Sequence, residues 1–158
     1  MAEPETGIEG TRLAIMSRLE TASASGSIRG VKVVRGQIDD GERVPTDDDG
    51  RMVPYICVVF GGRGKMSMGQ RGIVTSRQDL QRFVFGVECY GLDAAEVDRL
   101  ADRVEDILEG YEPPDAGQVS AINSGRIENP ADVKQNHSRD GIGLLFECYV
   151  GTITPVLL

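Results

Sequence analysis

The chain contains no tryptophan, one histidine, three cysteines and only 5% aromatic residues. Each shortage removes a class of function. The lone histidine, His137, lies in a polar stretch with no cysteine nearby, so it cannot complete a zinc site, and it offers no partner for a serine or cysteine nucleophile. There is no Gly-x-Ser-x-Gly elbow, no Cys-x-x-Cys, no His-Glu-x-x-His and no dinucleotide fingerprint. We therefore expect no catalytic residue, no cofactor and no metal. The aromatics are too sparse for a platform that stacks bases. No apolar run approaches the roughly 18 residues that a membrane helix needs. The start, Met-Ala-Glu-Pro-Glu-Thr-Gly, is acidic and lacks the apolar core of a secretory signal. The three cysteines, Cys57, Cys89 and Cys148, each fall inside an apolar alternating run, as buried thiols of a reducing compartment do. A net charge of −8, from 25 acids and 17 bases, argues against general nucleic-acid binding.

What the sequence does contain is organised around residues Arg82 to Gly110. Phe83, Phe85, Val87 and Cys89 recur at period two and define one face of a strand, while Arg82, Val84, Gly86, Glu88 and Tyr90 form a mixed opposite face. Then Ala94, Val97, Leu100, Ala101, Val104, Ile107 and Leu108 recur at spacings of three and four, the apolar stripe of a helix. Asp93 and Glu96 have capping-box spacing at its start, Gly110 suits its end, and Pro113-Pro114 prevent continuation.

The other elements cover this unit. Residues 1–7 read as a frayed start. A helix is expected over Ile8–Ala22, with Ile8, Thr11, Leu13, Ile15, Met16 and Leu19 as a rough stripe, and a strand over Ile28–Gln37. Residues 38–52 form an acidic loop. Its carboxylates invite a calcium reading, but counting back from Gly50 puts Pro45 at the first ligand position of an EF-hand, so the motif fails. Met52–Phe60 is an apolar strand with Pro54 at its start or at a sheet edge.

The segment 61–79 resembles a phosphate loop only superficially, because Val59 stands where the first glycine belongs and Met66 follows Lys65. It reads as a long projecting loop, with a short strand expected at Ile73–Ser76. Gln118–Ile127 and Gly141–Thr152 are the closing strands, and Ile153–Leu158 is an apolar tail. The expected architecture is a single α+β domain. It has a mainly antiparallel sheet of 4–5 strands, packed by two helices, in the order α-β-β-β-α-β-β.

Charge is polarised along the chain. Residues 92–116 hold nine acids and two arginines, a balance of −7, and residues 61–82 hold five bases and one acid, a balance of +4. Unlike patches on one small domain suit head-to-tail self-association. The glycines at 61, 62, 64, 69 and 72 make the basic segment costly to order without a partner. Candidate partner-contact residues are Arg63, Lys65, Met66, Met68, Arg71 and Arg77 on that segment, with Val156, Leu157 and Leu158 on the tail.

A strand ending in Tyr-Gly leads into the helix containing Leu-Ala-Asp-Arg-Val-Glu-Asp-Ile-Leu. A proline-rich turn, a modest strand, a loop with Asp and Arg near its end and a closing strand follow. Over about residues 8–152 this order resembles the tail terminator proteins of long-tailed bacteriophages. The resemblance implies a small mixed α/β subunit of a homohexameric ring. Such a ring caps the tail tube, meets a tail tube protein on one side and a head-side connector protein on the other, and lets DNA pass through its lumen. It also implies residence at the head-proximal end of a virion tail, with assembly in the host cytoplasm and no membrane partner. The acidic loop and the glycine-rich loop are longer than the family pattern requires. Another head-tail connector, a head-completion protein and a cytosolic small-ligand-binding domain remain the alternatives.

Overall fold

The structure is a computed structural model that describes residues 7–37, 44–65, 76–78, 81–114, 116–127, 140–150 and 153–155. Two helices, α1 (Gly7–Ser25) and α2 (Ala94–Leu108), lie against a five-stranded sheet. Its strands are β1 (Lys32–Arg35), β2 (Tyr55–Lys65), β4 (Gln81–Gly91), β5 (Ser120–Arg126) and β6 (Asp140–Val150), in the spatial order β1-β2-β4-β6-β5. Two further short strands, β3 (Ser76–Gln78) and β7 (Ile153–Pro155), pair with each other. Among the described strands β1 and β2 run parallel, and the other pairings are antiparallel. The α+β class and the expected order of helices and sheet strands are those observed.

The central strand behaves as its alternation requires. Phe83, Phe85, Val87 and Cys89 are all buried, and their register partners Cys148, Phe146 and Leu144 on β6 and Val58 and Ile56 on β2 extend the same layer. Both helices seal this face. α2 contributes Val97, Leu100, Ala101, Val104 and Leu108. Fully burying a valine- or leucine-sized side chain contributes roughly 1.5–3 kcal/mol, so this stripe alone anchors the helix. Asp93 caps α2 by accepting the Glu96 amide at 2.8 Å, and Glu96 accepts the Leu92 amide at 3.2 Å. The helix ends where Gly110 takes φ +81°, with its amide donating to the Val119 carbonyl.

α1 is less amphipathic. Ile8, Thr11, Ile15, Met16 and Leu19 are buried, but Leu13 is 42% exposed. At 100° per residue Leu13 falls well off the stripe through the others, which corrects its place in the expected apolar face.

Among the described residues, the opposite face of the sheet is covered at one end. There Tyr55, Cys57 and Tyr90 join Val44 and Met52 of the preceding segment in a small second cluster. Tyr55 and Tyr90 stack with centroids 5.0 Å apart. The acidic turn closes this cover. The Asp47 carboxylate accepts the amides of Asp49 and Arg51 at 2.9 Å, and Gly50 takes φ +78°.

Several element bounds differ from expectation. β1 starts at Lys32, because Ile28–Gly30 form a turn in which Val31 donates to the Ile28 carbonyl and Gly30 takes φ +87°. β2 starts at Tyr55, after Pro54, whose carbonyl accepts the Lys32 amide. The segment read as a loop from residue 61 is still strand as far as Lys65. A bulge between Phe60 and Arg63 lets it stay paired with β4 down to Gln81. The short strand expected at Ile73–Ser76 is found at Ser76–Gln78, and residues 73–75 lie outside the described residues. Part of the expected free tail, Ile153–Pro155, is strand β7, paired with β3. The closing strands are slightly shorter than expected. Cys57, Cys89 and Cys148 are buried and form no disulfide. Burial, and then the neighbouring Glu147, pushes the Cys148 thiol up to about 11; burial also raises Cys89.

Candidate functional site

The helix-covered face is occupied by the core, so any contact surface among the described residues is on the open face, the sheet edges or the helix flanks. On the open face β4 presents Arg82, Val84, Gly86 and Glu88, and β6 presents Gly143, Leu145, Glu147 and Tyr149. Arg82 donates to the Glu147 carboxylate across the two strands. Glu88 accepts from the Gln37 amide group at 3.0 Å and from the Tyr90 hydroxyl at 2.9 Å. Burial, and then that bond to Glu88, raises the Tyr90 phenol above its ordinary value. Beside Glu88 lies a shallow depression of about 300 Å³, floored by Gly86, Gly125 and Gly143.

The two sheet edges are chemically unlike. β1 carries exposed Lys32 and Arg35, with exposed Arg29 just before it. Arg35 is paired with Glu9 of α1 at 3.2 Å and lies 5.2 Å from the Phe60 ring centroid. Arg35, and then Arg12, hold the Glu9 carboxyl below its ordinary value. β5, the other edge, has every side chain exposed, including Ile122 at 41%. Its flank is acidic because α2 lies alongside. Arg126 donates to Asp98 at 3.2 Å, and the Ala121 amide donates to Glu109 at 2.6 Å. Asp98, Asp102, Glu105 and Glu109 follow at spacings of four, three and four, so one stripe of carboxylates runs along the β5 side of the helix.

A third surface is a cleft of about 610 Å³ between the second half of α1 and the end of α2. Its one arginine, Arg18, donates to the Ile107 carbonyl at 2.8 Å and sits 4.3 Å over the Tyr111 ring. Its charge is directed into the joint between the helices and does not converge on the cleft as a ligand site requires.

Of the sequence-derived contact candidates, Arg63 and Lys65 lie at the end of β2, in register with Phe83 and Gln81. Arg77 lies in β3 opposite Thr154, so part of the basic segment meets the start of the tail. Met66, Met68, Arg71, Val156, Leu157 and Leu158 fall outside the described residues. Sequence reasoning missed the basic β1 edge and the exposed β5 edge. A four-residue strand bracketed by Lys32 and Arg35 is a readable sign of a charged edge. β5 gave less signal, since Ser-Ala-Ile-Asn-Ser-Gly-Arg has no apolar alternation.

No family model and no curated protein matches the chain. Among solved structures, it is similar to a chain in the virion of a native gene transfer agent particle, with 16% identity and a TM-score of 0.50. The match covers 89% of this chain and 94% of that one. At that identity the likeness concerns the fold.

Proposed function

We propose that this chain is a non-enzymatic structural subunit of a phage-like virion, and specifically a tail terminator. In this role copies close into a ring of six on the finished tail tube and offer the other side of the ring to the head-side connector. What supports it is the end-to-end correspondence in fold with a chain from the virion of a gene transfer agent particle, over nearly the whole of both chains. The sequence resemblance to tail terminators, reached from the Tyr-Gly turn and the helix after it, leads to the same class. The division of labour in the fold suits a ring subunit. One sheet face is closed by helices and gives rigidity, while the other face and both edges remain for neighbours. An overall charge of −8 lets DNA pass without holding it. The protein would then reside at the head-proximal end of the tail, after assembly in the host cytoplasm.

The test is the position and copy number of this chain in the assembled particle, read from an image reconstruction. Six copies in one ring at the head-proximal end of the tail, about 103 kDa for six chains of 17.1 kDa, is the expected result. A ring at a different joint would assign another connector role. A monomer there, or a two-fold pair, would overturn the ring.

A further inference from the structure

We propose that the β5 edge of one copy docks beside the β1 edge of a second copy, head to tail, with the acidic α2 flank facing the basic β1 flank. This rests on the ring reading above and says which surfaces make the ring.

Strand direction favours this joint. Across β1-β2-β4-β6-β5 only the first pair is parallel, so β1 and β5 run in opposite directions at the two edges. A second copy placed beside the first without inversion therefore sets its β1 antiparallel to β5, and the alternation continues into the neighbour. The rows also align. Arg35, Val58, Val87, Leu144 and Ser124 are successive register partners from one edge to the other. Both end residues of this row are exposed and lie on the helix-covered side of the sheet. A neighbour's Arg35 would thus arrive beside Ser124, under the middle of the α2 stripe.

Charge selects the second copy as the occupant. Asp98 and Glu109 at the ends of the stripe are engaged by β5, but Asp102 and Glu105 between them have no ion-pair partner among the described residues. On the β1 side Arg29 likewise has none and Arg35 has only the exposed Glu9, while Lys32, in register with Tyr55, lies on the other face of the sheet. In the single copy the Ala121 and Ser124 amides of β5 are held by the side chains of Glu109 and Asn123, which blunts the edge until a matching strand replaces those bonds. Joining β5 to β5 by a two-fold axis would instead set the acidic stripes of two copies against each other, a repulsive arrangement.

The experiment is a charge swap, read by mass photometry of the purified protein and by ring occupancy in particles. Asp102→Lys/Glu105→Lys alone, and Arg29→Glu/Arg35→Glu alone, should each lose the ring. The chain carrying all four changes should regain it, which also shows that the substituted chains fold. As a second measurement, Arg35→Cys/Ser124→Cys should give disulfide-linked ladders up to the closed ring, against a background of three buried native thiols. A six-fold ring that tolerates both reversals and gives no 35–124 link would overturn this joint and leave the tail-terminator reading standing. A particle without any ring of this chain would remove both. Association strengthened by Asp102→Lys/Glu105→Lys alone would indicate the two-fold β5 contact instead.

Discussion

The two faces of β4 differ sharply in burial. Phe83, Phe85, Val87 and Cys89 point into the layer under the helices and are no more than 1% exposed. Arg82, Val84, Gly86 and Glu88, their immediate neighbours in sequence, point the other way and none is buried. Tyr90 breaks the rule on the open side, and only because Val44, Met52 and Tyr55 cover that end. One strand therefore serves two purposes at a period of two. The larger buried layer lies on one face and the smaller cluster at one end of the other, so the exposed positions beyond that cluster and along the edges can be altered with little effect on the fold. A subunit that must present surfaces to several neighbours needs this separation.

Substitution on the two faces should expose the difference most sharply. Leu100→Asp places an unpaired carboxylate between α2 and the sheet, where Leu100 is buried, and is expected to prevent folding. Circular dichroism of the purified variant should show loss of cooperative melting; melting within a degree of the parent would place the helix wrongly. Next in size, Phe85→Ala removes a ring that stacks on Phe146 at 5.4 Å in the sealed layer. It should cost about 3–5 kcal/mol in denaturant unfolding. Leu145→Ala, on the open face of β6 at 38% exposure, should cost under about 1 kcal/mol in the same assay. Equal costs would mean that the open face is covered in solution.

How much of this was legible beforehand follows the same division. The sealed layer was readable because period-two and period-3.6 spacing coincide with burial: Phe83 to Cys89, Val97 to Leu108 and Leu144 to Cys148 needed no tertiary information. The β1–β2 parallel pairing was not readable, since Lys-Val-Val-Arg says nothing about which way its neighbour runs. The extension of β2 to Lys65 was hidden because Gly61, Gly62 and Gly64 carry turn propensity, and pairing with β4 overrode it. The acidic charge of α2 was plain in the sequence, but its position beside the β5 edge depends on the Arg126–Asp98 and Ala121–Glu109 bonds between distant segments. The basic segment at 61–82 was the obvious complement, yet a second basic surface at Arg29, Lys32 and Arg35 emerges only once β1 is placed at an edge.

The finest comparison lies within the open face itself, between two glycines of β6 that are two residues apart. A Cβ at Gly141 would meet the Tyr90 ring at 2.8 Å and Ile127 at 3.1 Å, under the covered end. A Cβ at Gly143 would meet nothing closer than 3.9 Å. Neither has the left-handed backbone that would strain alanine, so the difference is one of space alone. Both rings of the Tyr55–Tyr90 stack are buried, and Tyr90 is also tied to Glu88, so its ring cannot simply swing aside. Gly141→Ala should therefore cost about 1–3 kcal/mol, the usual penalty of overpacking. Gly143→Ala should stay within about 0.5 kcal/mol of the parent, because alanine loses less backbone entropy than glycine in a strand and displaces nothing. Chemical denaturation of the two variants side by side measures the contrast. A penalty at Gly143 as large as at Gly141 would mean that the bare part of the open face is filled in the folded subunit, and the separation between a sealed face and a free one would fail at its centre.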